Sequence, residues 1–198
     1  MATPNANCSL CGAQSRIASM ITLGGATYDL SMCDCPNCGR YVFDLILSEK
    51  LKEIGNDAPF RLACLLRERR LRKEKGVYGL FSTKIQPGEN TVDKHLAAWW
   101  EVEELLSEFP QPTEIIDRAL CNLSRLVNHP METIERSQPE LQFIMFCPER
   151  HLVNQLHYMQ QMGLIHLSAE AYDSVLLTLS PQARNQIQLL ATRRSDSK

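Results

Sequence analysis

Five of the eight cysteines fall within the first 38 residues, and four of them form two matching pairs, Cys8-Ser-Leu-Cys11-Gly12 and Cys35-Pro-Asn-Cys38-Gly39. A C-x-x-C turn places two thiolates on one metal ion. Two such turns complete the tetrahedron of soft donors that zinc prefers, with Zn–S near ~2.3 Å. The glycine after each second cysteine lets the backbone turn back over the ion and aim amide donors at the sulfurs. The spacing therefore predicts one structural Zn2+ held by Cys8, Cys11, Cys35 and Cys38, with no coordination position left for water and hence no hydrolytic role. Cys33 supplies a further thiol two residues before Cys35, yet only Cys35 and Cys38 reproduce the x-x spacing with a following glycine. Cys33 is left as an alternate ligand or a reactive thiol. Cys64, Cys121 and Cys147 stand singly among apolar neighbours and read as core residues.

A second group of residues could contact a macromolecule. Arg61, Arg67, Arg69, Arg70, Arg72, Lys73 and Lys75 face only Glu68 and Glu74 along one segment, a local excess of five positive charges. Such a patch can neutralise phosphates and bind nucleic acid in a salt-dependent way. The competing reading is a solvated helix whose charges pair locally, Arg72 standing four residues after Glu68. Further along, His151, Asn154, Gln155, Tyr158 and Gln161 share a helix face that can hydrogen-bond base edges or a protein surface. Residues 109–198 hold eight Lys or Arg against nine Asp or Glu, and the loop Ser168–Asp173 has two acids and no base. Without a basic face the electrostatic attraction that dominates DNA binding is missing. Protein contact is therefore the favoured use, with DNA binding as the alternative. No Gly-rich phosphate loop, nucleophile elbow or paired-histidine metal motif occurs, so the chain reads as non-enzymatic.

The net charge of -2 gives no global pull toward nucleic acid or acidic membranes. No run approaches the roughly 20 apolar residues a membrane span requires, so a cytoplasmic protein without a membrane partner is expected. A reducing compartment agrees with metal-binding rather than disulfide-bonded cysteines. A homo-oligomer is compatible with the sequence.

The elements that must position these groups are legible in part. Strand-like runs on either side of Gly24-Gly25 predict a hairpin between the two cysteine turns. Helices are expected over 45–54, over 59–75, and over 93–109 with Trp99 and Trp100; Pro87-Gly88 breaks a poorly patterned stretch. After Phe109-Pro-Gln-Pro112, Ile116, Ala119, Leu120, Leu123 and Val127 mark one helix face, ended by Asn128-His-Pro130. A helix from Pro148 to a left-handed stop at Gly163 follows. Then come a two-stranded hairpin with Val175, Leu177 and Leu179 inward and a last helix capped by Ser180-Pro181. The fold class expected is mainly α with a small β content. It comprises an N-terminal zinc ribbon (1–44), a helical middle carrying the basic helix (45–108), a C-terminal winged helix-turn-helix (109–194) and a short tail (195–198).

The string Tyr158-Met-Gln-Gln-Met-Gly163-Leu-Ile165, followed by Leu177-Thr-Leu-Ser-Pro181, resembles the end of a recognition helix, the wing and the return helix of winged-helix domains. Together with Cys35-Pro-Asn-Cys38-Gly39-Arg40-Tyr41 and the basic middle, it is similar to the amino-terminal region of certain bacterial proteins. In those proteins the region precedes a Toll/interleukin receptor-like or deoxyribosyltransferase-like effector domain. The resemblance implies a recognition or sensor module in anti-phage defence, with another protein or an effector domain as partner. It carries over the four ribbon cysteines and no catalytic residue. The sequence ends at Ser195-Asp-Ser-Lys198 before any such effector, so a cut-out module or a separately encoded effector is expected.

Overall fold

The computed structural model describes residues 5–23, 25–74, 76–83, 92–129, 131–170 and 174–195. Gly24 of the hairpin turn, Lys75, Pro87-Gly88, Pro130, residues 171–173 of the proposed wing loop and 196–198 of the tail lie outside the described residues. The chain divides into two compact units, Met1–Phe109 and Pro110–Lys198.

The first unit is built on a six-stranded sheet. β1 (Asn5–Asn7), β2 (Gln14–Leu23), β3 (Ala26–Cys35) and β4 (Gly39–Phe43) run antiparallel in sequence order. The β2–β3 ladder carries a bulge between Ser19 and Ile21, where Met20 sits at φ 55 and is exposed. The chain then leaves the sheet through α1 (Leu47–Ile54) and α2 (Ala58–Leu71) and returns as β5 (Tyr78–Phe81), parallel to β4. A parallel return needs a crossover of this length, commonly helical. A 3-10 turn (Val92–His95) precedes β6 (Ala98–Glu101), which pairs parallel to β5, and α3 (Val102–Ser107) closes the unit.

The expected mainly α class is therefore corrected. Helix accounts for about 43% and strand for about 28% of the structure. The middle segment is not a separate helical domain, because β5 and β6 extend the sheet formed by β1–β4. Tyr78–Phe81 is buried on both faces, and a short, wholly apolar run carries no period that separates strand from helix. Trp99 and Trp100, assigned to a helix over 93–109, lie in β6, where large aromatics suit a pleated surface. Gly79 makes that pairing possible: a Cβ there would lie 2.8 Å from the Cβ of Trp99 and 2.6 Å from Leu96.

In the second unit α4 (Ile115–Ser124) leads to β7 (Ile134–Ser137), α5 (Gln138–Ile144) and α6 (Glu149–Gln161). The hairpin β8 (Ile165–Glu170) and β9 (Ser174–Leu179) and the helix α7 (Pro181–Ser195) complete it. The sheet order is β7-β9-β8, all antiparallel. Ala119, Leu120 and Leu123 of α4 are fully buried with Leu141, Ile144, Leu152, Leu156 and Met159. Val175, Leu177 and Leu179 point inward in alternation, as a half-buried strand requires. Gly163 ends α6 at φ 67, with the amide of Leu164 donating to the carbonyl of Met159 at 2.9 Å. Sequence reasoning passed over β7 and α5. Ser137-Gln-Pro139-Glu140 held the signal for the latter, since proline in the first turn and an acid three residues after serine mark a helix start.

Candidate metal centre

The turn closing back from β1 into β2 is fastened by Gly12 N–H to the Cys8 carbonyl at 2.9 Å and by Cys8 N–H to the Ala13 carbonyl at 2.8 Å. Gly12 takes φ 73 at the reversal, and Gly39 takes φ 85 in the corresponding place after Cys38. In the second turn the Cys38 amide donates to the Cys35 sulfur at 3.4 Å, the amide-to-sulfur contact that the cysteine spacing predicts. β3 delivers Cys35 at its end and β4 starts at Gly39, so the sheet itself fixes where the second pair projects.

The Sγ atoms of Cys8, Cys11, Cys35 and Cys38 all lie within 4.8 Å of one another. Cys8 to Cys38 is 3.9 Å and Cys11 to Cys35 is 3.4 Å. Four sulfurs at the corners of a tetrahedron around an ion bound at ~2.3 Å stand roughly 3.8 Å apart, so the donor set fits. The four thiols also shift one another's protonation. Hydrogen bonds led by Cys11 pull the Cys8 thiol far down, whereas hydrogen bonding with Cys35 pushes Cys11 up and bonding led by Cys11 pushes Cys38 up. Cys35, accepting from Cys11 and Cys38, is brought down to about 6. Without a cation the four thiols must share protons; a bound cation lets all four ionise. The residues are compatible with a metal ion held by four thiolates.

Two further side chains reach this cluster. Tyr41, opposite Cys33 in the β3–β4 ladder and wholly buried, places its hydroxyl 3.2 Å from the Cys8 sulfur. Burial, then the charge on Cys8, pushes its phenol up, so it stays a donor. Cys33, also wholly buried, lies beside Cys8 and Tyr41, but it is outside the four-sulfur group. Tyr41 stands three residues past the second pair, on the same strand face as Phe43, whose ring lies 5.7 Å from its own.

The basic segment is placed differently from its sequence reading. α2 is buried on nearly every side, and Arg67, Glu68 and Arg69 are all inside. Arg67 Nη1 donates to the carbonyls of Pro36 at 3.2 Å and Asn37 at 3.4 Å, and Arg70 donates to those of Cys35 at 3.3 Å and of Pro36. Arg69 stacks 4.3 Å over the Trp100 ring and pairs with Glu108 at 2.8 Å. Arg72 reaches the buried Glu68 at 3.2 Å, the i,i+4 pair that the spacing predicts. Arg70, Arg72 and Lys73 keep exposed surface. Two arginines named as phosphate contacts thus hold the second cysteine turn instead, and a third is stacked inside the unit.

On α6, Asn154 and Tyr158 are exposed, while Gln155 donates from Nε2 to the Met145 carbonyl at 3.1 Å and is turned toward its own unit. Cys64 and Cys147 are buried, burial pushing Cys147 up to about 11, and Cys121 is part-exposed. Among the described residues no helix is long and apolar enough to cross a membrane.

Sheet and cluster together define a chain organised around a four-cysteine, metal-compatible site. No protein-family model matches it, and no curated protein or solved structure does either.

Proposed function

We propose that the chain is a non-enzymatic recognition module in which one zinc ion shapes the first unit and a winged-helix-type second unit holds a protein partner. When bound, zinc would cross-link Cys8, Cys11, Cys35 and Cys38 and leave no position for a substrate. The observation that carries the reading is the distribution of polar groups. Arg67, Arg69 and Arg70 are engaged within their own unit, and α6 offers a neutral face on which Tyr158 and Met162 lie one turn apart, 52% and 49% exposed. An aromatic residue and a methionine exposed side by side, with Asn154 at hand for hydrogen bonds, suit a protein interface better than a polyanion. The anti-phage sensor role implied by the resemblance fits the same proposal, with an effector domain as one candidate partner.

Zinc analysis by mass spectrometry and co-elution on a sizing column with candidate protein partners test the reading. One zinc per chain and a complex that Tyr158→Ala weakens are expected. Tight, sequence-selective and salt-dependent DNA binding with no protein complex would sink it and favour a DNA-binding regulator.

A further inference from the structure

The four sulfurs are not equivalent, and their differences point to a modification site; this inference rests on the metal reading above. Cys8, Cys35 and Cys38 are at most 2% exposed, whereas Cys11 keeps part of its surface in solvent. The Cys8 sulfur faces the Tyr41 hydroxyl at 3.2 Å with Cys33 alongside, and the Cys35 sulfur accepts the Cys38 amide at 3.4 Å. Cys11 faces the Asn37 side-chain amide at 3.9 Å and the Ala13 backbone amide. Burial keeps reagents away from a thiolate, so the difference in exposure ranks the four sulfurs by access. A cleft of about 270 Å3 bordered by Arg40, Arg70 and Glu74 is lined in part by Cys35 and Cys38, each of which is still only 1% exposed.

We infer that Cys11 is the reactive ligand of the centre, the sulfur at which small soft electrophiles open the metal site. In the step, a Cys11 sulfur lone pair adds to an activated carbon–carbon double bond and forms a sulfur–carbon bond. The displaced π pair takes a proton from water, and Cys11, now a neutral thioether, would be a poor ligand for the metal that the site would hold; nothing is oxidised or reduced. Loss of that one ligand frees the first turn from the second.

The test uses the full zinc-loaded chain carrying Cys121→Ala, treated with less than one equivalent of N-ethylmaleimide. Released zinc is followed with a chromogenic indicator and adducts are mapped by peptide mass spectrometry. Metal-releasing adducts on Cys11, one zinc lost per adduct, are the expected result; metal-releasing adducts on Cys8, Cys35 or Cys38 overturn the inference. Cys11→His, which keeps a zinc ligand, should abolish electrophile-driven release down to the rate without reagent, and unchanged release overturns it independently. A chain that binds no zinc defeats the functional reading itself, an outcome visible before any electrophile is added.

Discussion

The two units solve the same problem, how to hold a small domain together, by different means. In residues 1–109, polar and sulfur chemistry is turned inward: four thiols converge, two arginines grip the carbonyls of the second cysteine turn, and a third stacks on Trp100 and pairs with Glu108. In residues 110–198, fully buried leucines, Ile144 and Met159 form an apolar core, and the polar residues of α6 other than Gln155 are left mostly outward. A charged residue type is thus a poor guide to surface function. Arginine can bury its stem and still reach acceptors, so a dense basic segment need not be a binding patch.

The largest effect that tests this contrast is expected from removing the proposed metal. Structural zinc in small domains contributes on the order of 10 kcal/mol. Chelation or Cys38→Ser should therefore lower the melting of the first unit sharply and leave the second unchanged, as followed by hydrogen exchange resolved along the chain. Equal loss of protection in both units would break the distinction. The converse change is Leu123→Ala, which opens a void in the apolar core and should destabilise the second unit by about 2–5 kcal/mol, with no change in zinc content. Calorimetry with metal analysis reads both.

Arg67→Ala sharpens the claim about the buried arginines. Removing a charged donor from two carbonyls should destabilise the first unit by about 2 kcal/mol in denaturant titration while leaving any residual DNA affinity unaltered. A loss of DNA binding without a loss of stability would restore the phosphate-contact reading. Tyr158→Ala belongs at the opposite pole: an exposed residue should change stability by no more than about 0.5 kcal/mol yet weaken a partner complex on a sizing column.

The smallest effect concerns pH. The Glu132 carboxylate accepts the amides of Asn128, at 2.7 Å, and His129, and these bonds hold its carboxyl below the usual value. A folded pKa below the unfolded one means a contribution present above the ordinary carboxylate range and lost as pH falls through the folded pKa. Glu132→Gln should remove that part of the second unit's acid sensitivity, seen as melting curves of the two proteins that converge at low pH. Curves that stay parallel would show that the 128–132 turn does not titrate.

Legibility differed between cluster and fold for reasons visible in single residues. Cys8, Cys11, Cys35 and Cys38 could be named because metal ligands within a turn obey a fixed local spacing. Leu120, Leu123, Val175 and Leu177 could be placed because a half-buried helix or strand leaves its period in the sequence. Tyr78–Phe81 and Trp99-Trp100 carry no such mark: they are strands only because Gly79 lets β5 and β6 approach. Gln155 looked like a contact residue from its helix position, and only the approach of the Met145 carbonyl turned it inward.

By itself the sequence determined the four-sulfur site, the helix faces of the second unit and the alternation of its hairpin, all set by spacings within one or two turns of chain. Tertiary structure alone decided that the middle segment joins the ribbon's sheet and that Arg67 and Arg70 close on the second cysteine turn. It also decided that Cys11 is left more open than its three partners. The first two outcomes depend on groups some 30 residues or more apart meeting through a parallel crossover, and no local pattern encodes such a meeting.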